Sequence, residues 1–299
     1  MRPLTALAAA LALALAGAVT ASASARTRSV ADAPVRIAKA GAGRIAYRSV
    51  GSGRPLVLVT GLSATMDSWM PSFVDALARR HRVIVFDNAG VGRSTAPRGK
   101  LTIAGMARDT ASLIRALRLR KPDVLGWSMG GMIAQALART QPRLVRRLVL
   151  CASAPGDGTA TLPTPDALAV LGGDYTDTGP LLGLLFPPSR PGWRSRFLAG
   201  LFAYPHPEFV APPAIVRAQL AASADWMLGR DAASGPLGRL RLPVLIGAGA
   251  LDRALPVAND RRLRAGLPDA RLYVYRGAAH GFLFQEQRSF VPLVLRFLR

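Results

Sequence analysis

The sequence contains very little cysteine: Cys151 is the only one in 299 residues. A single cysteine cannot form a disulfide within its own chain, so no disulfide framework holds this fold together. Cys151 ends the apolar run Leu148-Val149-Leu150, and no histidine is near it in the sequence. This placement favours a small buried core residue over a catalytic thiol.

Histidine is scarce as well, with only His81, His206 and His280 in the chain. These three are the only candidates for a histidine base, and no cluster of residues has metal-ligand spacing. A dinucleotide fingerprint is also missing, because Gly90-Val91-Gly92 follows a strand-like run but lacks the third glycine. We therefore expect no metal and no cofactor.

Acidic residues are few, at 17 against 39 lysines and arginines, which gives a net charge of +22. Such a balance can indicate a nucleic-acid-binding protein. The basic residues, nearly all arginines, are scattered singly or in short groups such as Arg79-Arg80 and Arg261-Arg262, without a basic tail or a stacking aromatic array. The pattern favours an arginine-rich solvated surface, with no nucleic-acid partner and only weak attraction to anionic surfaces.

Charged residues are nearly absent from the first 25 residues. Arg2 precedes a small and apolar run from Leu4 to Thr20, followed by Ala21-Ser22-Ala23-Ser24-Ala25. This layout is typical of a secretory signal peptide cleaved after Ala23 or Ala25, whereas the alternative, a membrane anchor, usually has a longer run that is less rich in alanine. We expect a signal peptide over residues 1–25, a linker over 26–34, and a secreted or periplasmic mature protein.

Apolar runs alternate with amphipathic segments over residues 35–155 and 237–299. The alternation predicts an α/β fold with a mostly parallel sheet covered by helices on both faces, and with a hairpin at its start. The predicted strands are Val35–Ala38, Arg44–Val50, Leu56–Thr60, Val83–Phe86, Asp123–Gly126, Leu148–Cys151, Val244–Gly249 and Arg271–Tyr275. The predicted helices of this body are Pro71–Arg80, Thr102–Leu119, Ser128–Arg139, Ala258–Ala265 and Ser289–Leu298.

Residues 156–236 interrupt the alternation and are rich in proline, glycine and aromatic residues. Five arginines against six aspartates and one glutamate leave a net charge of −2 over residues 156–235, so the positive charge belongs to the body. An insert at this place predicts a helical lid over a pocket, and an irregular packing domain is the alternative. Two roles stay open for its aromatic residues, an apolar pocket or the insert's own core: Phe186, Trp193, Phe197, Phe202, Phe209 and Trp226.

The strongest local motif is Gly126-Trp127-Ser128-Met129-Gly130, between a strand-like and a helix-like run. A G-x-S-x-G elbow in this context holds a nucleophilic serine on a sharp turn with its hydroxyl exposed. The helix that begins there directs free N–H groups toward developing negative charge. Ser128 is therefore the candidate nucleophile.

Ser128 needs a base, and position in the chain favours His280. His81 lies between two arginines before a strand and is expected to face solvent, while His206 in the insert is expected to be structural. His280 follows a predicted strand in a loop of small residues, where catalytic groups collect in parallel sheets. Asp252 likewise follows a strand and is the favoured orienting acid, with Asp157 as its rival.

The order Ser128, Asp252, His280 and the surrounding segments resemble the α/β-hydrolase fold-1 family. The matching segments are Leu56–Leu62, Phe86–Ser94, the elbow, and the loops around Asp252 and His280. The resemblance implies an eight-stranded-type sheet with a helical lid insert, and an oxyanion hole from the backbone N–H groups of Leu62 and Met129. The chain departs from the family at Thr60-Gly61, where His-Gly is frequent, and at Ala89, where arginine is frequent.

These features predict acyl transfer by Ser128, His280 and Asp252 in a secreted serine hydrolase of carboxylesterase type. We expect a small or medium apolar carboxylic ester as substrate and a monomer or dimer in solution. Trp127, Trp69 and Phe282 are predicted to line the substrate pocket. The alternatives are carbon–carbon bond hydrolysis, lactone hydrolysis or cofactor-free perhydrolysis by the same triad, and then a non-catalytic binding protein.

Overall fold

A computed structural model describes residues 29–41, 43–96, 99–173, 177–205, 207–208 and 210–299. The predicted signal peptide, the first three residues of the predicted linker (26–28), His206 and Phe209 lie outside the described residues. Within the described part, no helix is long and apolar enough to cross a membrane.

Eight strands form one sheet in the order β1-β2-β4-β3-β5-β6-β7-β8. β1 and β2 form the predicted antiparallel hairpin, β2 is also antiparallel to β4, and all other neighbouring strands are parallel. The strands are β1 (Arg36–Ala40), β2 (Gly43–Val50), β3 (Arg54–Val59), β4 (His81–Phe86), β5 (Asp123–Trp127), β6 (Leu148–Cys151), β7 (Val244–Gly249) and β8 (Ala270–Tyr275). The sheet therefore has the mostly parallel architecture that the alternating pattern predicts.

The central strands bury both of their faces. Val57 and Val59 of β3 belong to one hydrophobic cluster, whereas Leu56 and Leu58 belong to the other. Successive side chains of a strand point to opposite faces of the sheet, so an apolar strand packs against helices on both sides. This explains why β3 is apolar from residue to residue rather than at alternate positions.

Ten helices cover the sheet or belong to the insert in the described part of the chain. Those of the body are α1 (Pro71–Ala78), α2 (Ile103–Ala116), α3 (Met129–Thr140), α8 (Ala258–Gly266), α9 (Phe282–Gln285) and α10 (Gln287–Phe297). The start of α2 is fixed by Thr102, whose side chain accepts a hydrogen bond from the Gly105 N–H. Residues of α2, α3 and α8 pack in one cluster and residues of α1, α9 and α10 in the other, which places helices on both faces.

The insert between β6 and β7 is helical and packs into both clusters of the body. Its helices are α4 (Pro165–Leu171), α5 (Gly179–Leu185), α6 (Gly192–Leu201) and α7 (Pro213–Met227). Trp226 is buried in the cluster of α2 and α3, while Phe186 and Phe197 are buried in that of α1 and α10. Most of these aromatic side chains therefore attach the insert to the body, and Phe202 is 68% exposed.

His81 is buried, which contradicts the expectation that it faces solvent. It is 5% exposed and is the first residue of β4, in parallel register with Arg54 of β3. The strand begins two residues earlier than its apolar run indicates, so His81 lies in the sheet and not in the turn before it. Burial lowers the pKa of its imidazole.

Candidate active site

Ser128 lies on a strained turn between β5 and α3. Its φ is +60°, in the region that L-residues rarely adopt, and its side chain makes no capping hydrogen bond to the helix it precedes. The flanking glycines are required by close backbone approach. A Cβ at Gly126 would lie 2.2 Å from the Gly130 carbonyl oxygen, and one at Gly130 would lie 2.1 Å from that of Val59. The local sequence thus specifies the turn that presents the hydroxyl.

The backbone of Ser128 is held from the neighbouring strand. Its N–H donates to the Cys151 carbonyl at 2.8 Å, and its carbonyl accepts from the Ser153 hydroxyl at 3.0 Å. Cys151 is itself fully buried, and burial raises the pKa of its thiol well above the ordinary value. Cys151 is therefore placed as a core residue beside the elbow and not as a thiolate nucleophile.

Asp252 and His280 form a buried pair at the carboxyl ends of β7 and β8. The imidazole Nδ1 lies 2.7 Å from Asp252 Oδ2, and the two residues are 5% and 6% exposed. Asp252 Oδ1 accepts from the Leu255 N–H at 2.9 Å, which fixes the carboxylate. Trp127 donates its indole N–H to the His280 carbonyl at 3.0 Å. With Nδ1 facing Asp252, Nε2 is the ring nitrogen that remains for a proton transfer.

Asp157, the rival acid, is engaged elsewhere. Its Oδ1 accepts from both the N–H and the hydroxyl of Thr159 within its own exposed loop. The geometry therefore favours Asp252 as the partner of His280.

The loop after β3 passes directly beside the nucleophile. A Cβ built at Gly61 would lie 3.1 Å from Ser128 Cβ and 3.6 Å from Ser128 Oγ, so a side chain here would require the serine or the loop to shift by a few tenths of an ångström. The next residue, Leu62, and Met129, the first residue of α3, both line a cavity with Ser128. This brings together the two backbone segments that the resemblance assigns to an oxyanion hole.

Two cavities meet at Ser128. The larger one, of about 130 Å³, is also lined by Trp127, His280 and apolar residues of the insert, namely Leu171, Leu181, Leu182, Leu185, Phe197, Leu198, Leu201 and Val210. The smaller one, of about 30 Å³, lies between Met129, Met132, Leu220, Met227 and Leu255. Among the described residues that line them, none is an aspartate, glutamate, lysine or arginine. Both cavities therefore suit uncharged, apolar groups.

Trp69 and Phe282, which are predicted from the sequence to be pocket residues, line neither of these two cavities. Trp69 is fully buried and stacks on Phe73, with ring centroids 6.0 Å apart. Phe282 is buried between Tyr275 and Phe290. Both side chains belong to the core behind the site, whereas Trp127 does line the larger cavity.

Two further depressions in the described surface carry no residues of this site. The larger of these two, of about 810 Å³, is lined by arginines such as Arg79, Arg288 and Arg296 at the ends of α1 and α10. No group of three or more histidine, cysteine, aspartate or glutamate side chains within the described ranges is arranged to hold a metal ion.

Sequence reasoning missed two buried polar residues near the site. Asp260 of α8 is fully buried, and burial, followed by the charge of Asp252, raises the pKa of its carboxyl well above the ordinary value, opposed by hydrogen bonds from the Ser153 backbone and from its own. Gln219 of α7 is also fully buried and contacts the loop that contains Leu62. For Gln219, the sequence does offer a signal: it is a polar residue on a helix face whose other buried members are mainly apolar or small.

Comparisons with known proteins agree with this fold. A family model described as the alpha/beta hydrolase fold matches residues 54–287. A putative carbamate hydrolase, RutD, from Azorhizobium caulinodans is 30% identical over 267 residues, which cover 87% of this chain and 97% of the relative. A poly(3-hydroxyalkanoate) depolymerase from Ectopseudomonas oleovorans is 29% identical, with 82% and 84% covered.

Solved structures show the same likeness. An alpha/beta hydrolase fold protein from Chitinophaga pinensis superposes with a TM-score of 0.82 at 30% identity, covering 91% of this chain and 99% of that one. Est816, described as an N-acyl homoserine lactone degrading enzyme, has a TM-score of 0.69 at 26% identity and covers 88% and 100%. With its sheet, its elbow and these matches, the chain belongs to the α/β-hydrolase fold family and is a hydrolase.

Proposed function

We propose that the chain is a serine hydrolase that cleaves an apolar carboxylic ester with Ser128, His280 and Asp252. The observation that carries the proposal is the position of Ser128 on a strained turn where two apolar cavities meet. His280, oriented by Asp252, lines the larger of these cavities.

In the proposed first step, His280 Nε2 accepts the proton of the Ser128 hydroxyl as the oxygen attacks the ester carbonyl. The carbonyl electron pair moves onto oxygen, where the N–H groups of Leu62 and Met129 stabilise the negative charge, each typically by a few kcal/mol. Collapse of this intermediate expels the alkoxide, which takes the proton from the imidazolium. Asp252 stabilises that imidazolium through Nδ1.

In the second step, water replaces the alcohol. His280 accepts a proton from the water, whose oxygen attacks the acyl-serine carbonyl, and the same two N–H groups stabilise the charge. Breakdown releases the carboxylic acid and returns the proton to Ser128. The cycle consumes one ester and one water and needs no other reactant.

The unequal cavities support a substrate with one large and one small apolar side. A cavity needs roughly 10–15 Å³ to hold one water molecule, so the smaller cavity, of about 30 Å³, suits a group of very few carbons. The larger cavity, of about 130 Å³, suits a longer chain. None of the described lining residues is an aspartate, glutamate, lysine or arginine, which disfavours charged substrates because an unpaired ion would lose its hydration there.

Two ester series test this substrate class. Methyl esters of increasing acid length and acetates of increasing alcohol length are hydrolysed in a pH-stat, with lactones and vinylogous diketones as further arms. We expect one series to tolerate long chains and the other to lose activity after the first few carbons. Equal tolerance of both series would contradict the two-cavity account, and a clear preference for diketones would replace ester cleavage by carbon–carbon bond hydrolysis.

Export of the protein remains part of the proposal. The charge-poor run over residues 1–25 with its small-residue end supports a cleaved signal peptide. Sequencing the amino terminus of protein recovered outside the cytoplasm tests it. The expected start is Ser24 or Arg26, and a start at Met1 in the cytoplasmic fraction would contradict it.

A further inference from the structure

The insert holds the backbone of Ser63, the residue after the proposed oxyanion donor Leu62. The Ser63 N–H donates to Gln219 Oε1 at 2.7 Å, and the Ser63 carbonyl accepts from the Ala211 N–H at 2.8 Å. Gln219 lies 156 positions away in α7 and has no exposed surface. Ser63 has a φ of +61°, a conformation that a non-glycine residue keeps only when its surroundings enforce it.

The bond to Gln219 acts on the peptide unit adjacent to the proposed oxyanion donor. The Ser63 N–H belongs to the peptide that begins with the Leu62 carbonyl, and only the φ and ψ of Leu62 separate this peptide from the Leu62 N–H. The loop cannot compensate by moving toward the serine, because the backbone at Gly61 already lies close to Ser128. Fixing the Ser63 N–H therefore restricts the direction in which the Leu62 N–H points.

The Gln219 side chain makes this contact although its amide group lowers the stability of the folded state. Its Nε2 is buried and has no hydrogen-bond partner among the described residues. An orphaned buried donor destabilises the folded state, and an apolar side chain would avoid that penalty. Local helix packing thus does not explain a glutamine at this place, whereas the bond to Ser63 does.

We propose that Gln219 is a positioning residue for the oxyanion hole: by binding the Ser63 N–H, it orients the N–H of Leu62 toward the carbonyl oxygen that is attacked by Ser128. The inference rests on the proposed function. It also gives the insert a role beyond covering the cavity, because one of its helices completes the catalytic geometry.

The test compares Gln219→Met, which keeps the side-chain size but removes the acceptor, with Thr110→Val. Thr110 is equally buried, and its hydroxyl donates to the Met106 carbonyl within α2, whose residues line neither cavity, so Thr110→Val is a matched loss of one buried hydrogen bond. Competent sites are counted by titration with a fluorophosphonate, and kcat is expressed per titrated site. We expect kcat of Gln219→Met to fall roughly 10- to 100-fold with KM within about twofold. Thr110→Val keeps both parameters.

Two further measurements separate positioning from a loss of folded protein. Affinity for a trifluoromethyl ketone, which forms a tetrahedral adduct with the serine, should fall in Gln219→Met by about the same factor as kcat/KM. Amide hydrogen exchange of the peptide containing Ser63 should become faster, and Gln219→Leu should repeat each result. Unchanged kcat per titrated site, or unchanged exchange at Ser63, overturns the proposal.

These experiments also separate a failure of the Gln219 proposal from a failure of the proposed function. A wild-type protein that is neither titrated nor active on esters overturns the proposed function and the catalytic role of Gln219 together. An active wild type with an unaffected Gln219→Met overturns the role of Gln219 alone.

Discussion

His280 Nδ1 lies 2.7 Å from Asp252 Oδ2, in a pair that joins two loops 28 residues apart and is almost fully buried. In the proposed mechanism this contact sets the imidazole tautomer and stabilises the imidazolium. Asp252→Asn should keep the fold and lower kcat by about 10⁴-fold, because an amide favours the wrong tautomer. Steady-state kinetics on a reactive ester at neutral pH measure this loss.

Asp157→Asn is the matched control for Asp252→Asn. It makes the same chemical change at the other candidate acid, whose Oδ1 accepts hydrogen bonds from the N–H and the hydroxyl of Thr159. We expect kcat within about twofold of the wild type. A large loss in Asp157→Asn with little loss in Asp252→Asn would reverse the assignment of the acid.

Leu198 allows a direct test of the larger cavity. It lines that cavity from α6, whereas its neighbour Ala199 is exposed and lies outside the lining. Leu198→Trp should shift chain-length preference toward short substrates, lowering the ratio of kcat/KM for long over short chains by on the order of tenfold. Leu198→Ala should raise the same ratio.

Ala199→Trp adds the same bulk outside the cavity and should leave this ratio unchanged. Kinetics with the ester series provide the values for all three variants. A ratio that moves equally in Leu198→Trp and Ala199→Trp would contradict the assignment of this cavity to the substrate chain.

Because of the buried carboxyl of Asp87, we expect the stability of the folded protein to depend on pH. Burial raises the pKa of its carboxyl from 3.8 to about 6, assisted by the charges of Asp67 and Glu208 and opposed by hydrogen bonds from the Met66 and Arg93 N–H groups. Between these two values, the folded protein retains a proton that the unfolded chain has released. The contribution of Asp87 to stability is therefore present at low pH and lost as pH rises through about 6.

Asp87→Asn removes this titration. The free energy of unfolding of the wild type should fall relative to that of the variant by roughly 1.4 kcal/mol per pH unit across the window. Urea denaturation of both proteins at pH 4.5 and at pH 7.5 measures the difference. A difference that is the same at both pH values would show that Asp87 has an ordinary pKa.

The sequence predicts the body of the fold well because its signals are local. The apolar runs of β3, β5 and β7 reveal strands buried on both faces, and the matches to known proteins confirm the family. The elbow can be recognised in the sequence because Gly126 and Gly130, only five residues of chain from first to last, both occupy positions where a Cβ would clash with the backbone. Helix ends agree with prediction to within three residues; the starts at Pro71 and Ala258 coincide, whereas α2 ends at Ala116 rather than Leu119.

Features that depend on contacts between segments far apart in the sequence cannot be predicted from local patterns. Hydrophobicity marks Trp69 and Phe282 as apolar, but only the packing of α1, α9 and α10 decides that they lie in the core and not in a cavity. His81 is buried by strand register, and Gln219 acquires its partner from a loop 156 positions away. Such positions require the three-dimensional arrangement because several separate elements determine them together.

Covalent labelling of Ser128 tests the central claim most directly. The wild type and Ser128→Ala, matched for thermal stability, are incubated with a fluorophosphonate and analysed by intact mass and peptide mapping, alongside ester hydrolysis. The account predicts one adduct per wild-type chain, on the peptide that contains Ser128, and neither adduct nor hydrolysis in Ser128→Ala. A wild type that hydrolyses no ester and remains unlabelled, or a Ser128→Ala variant that retains activity, would contradict it.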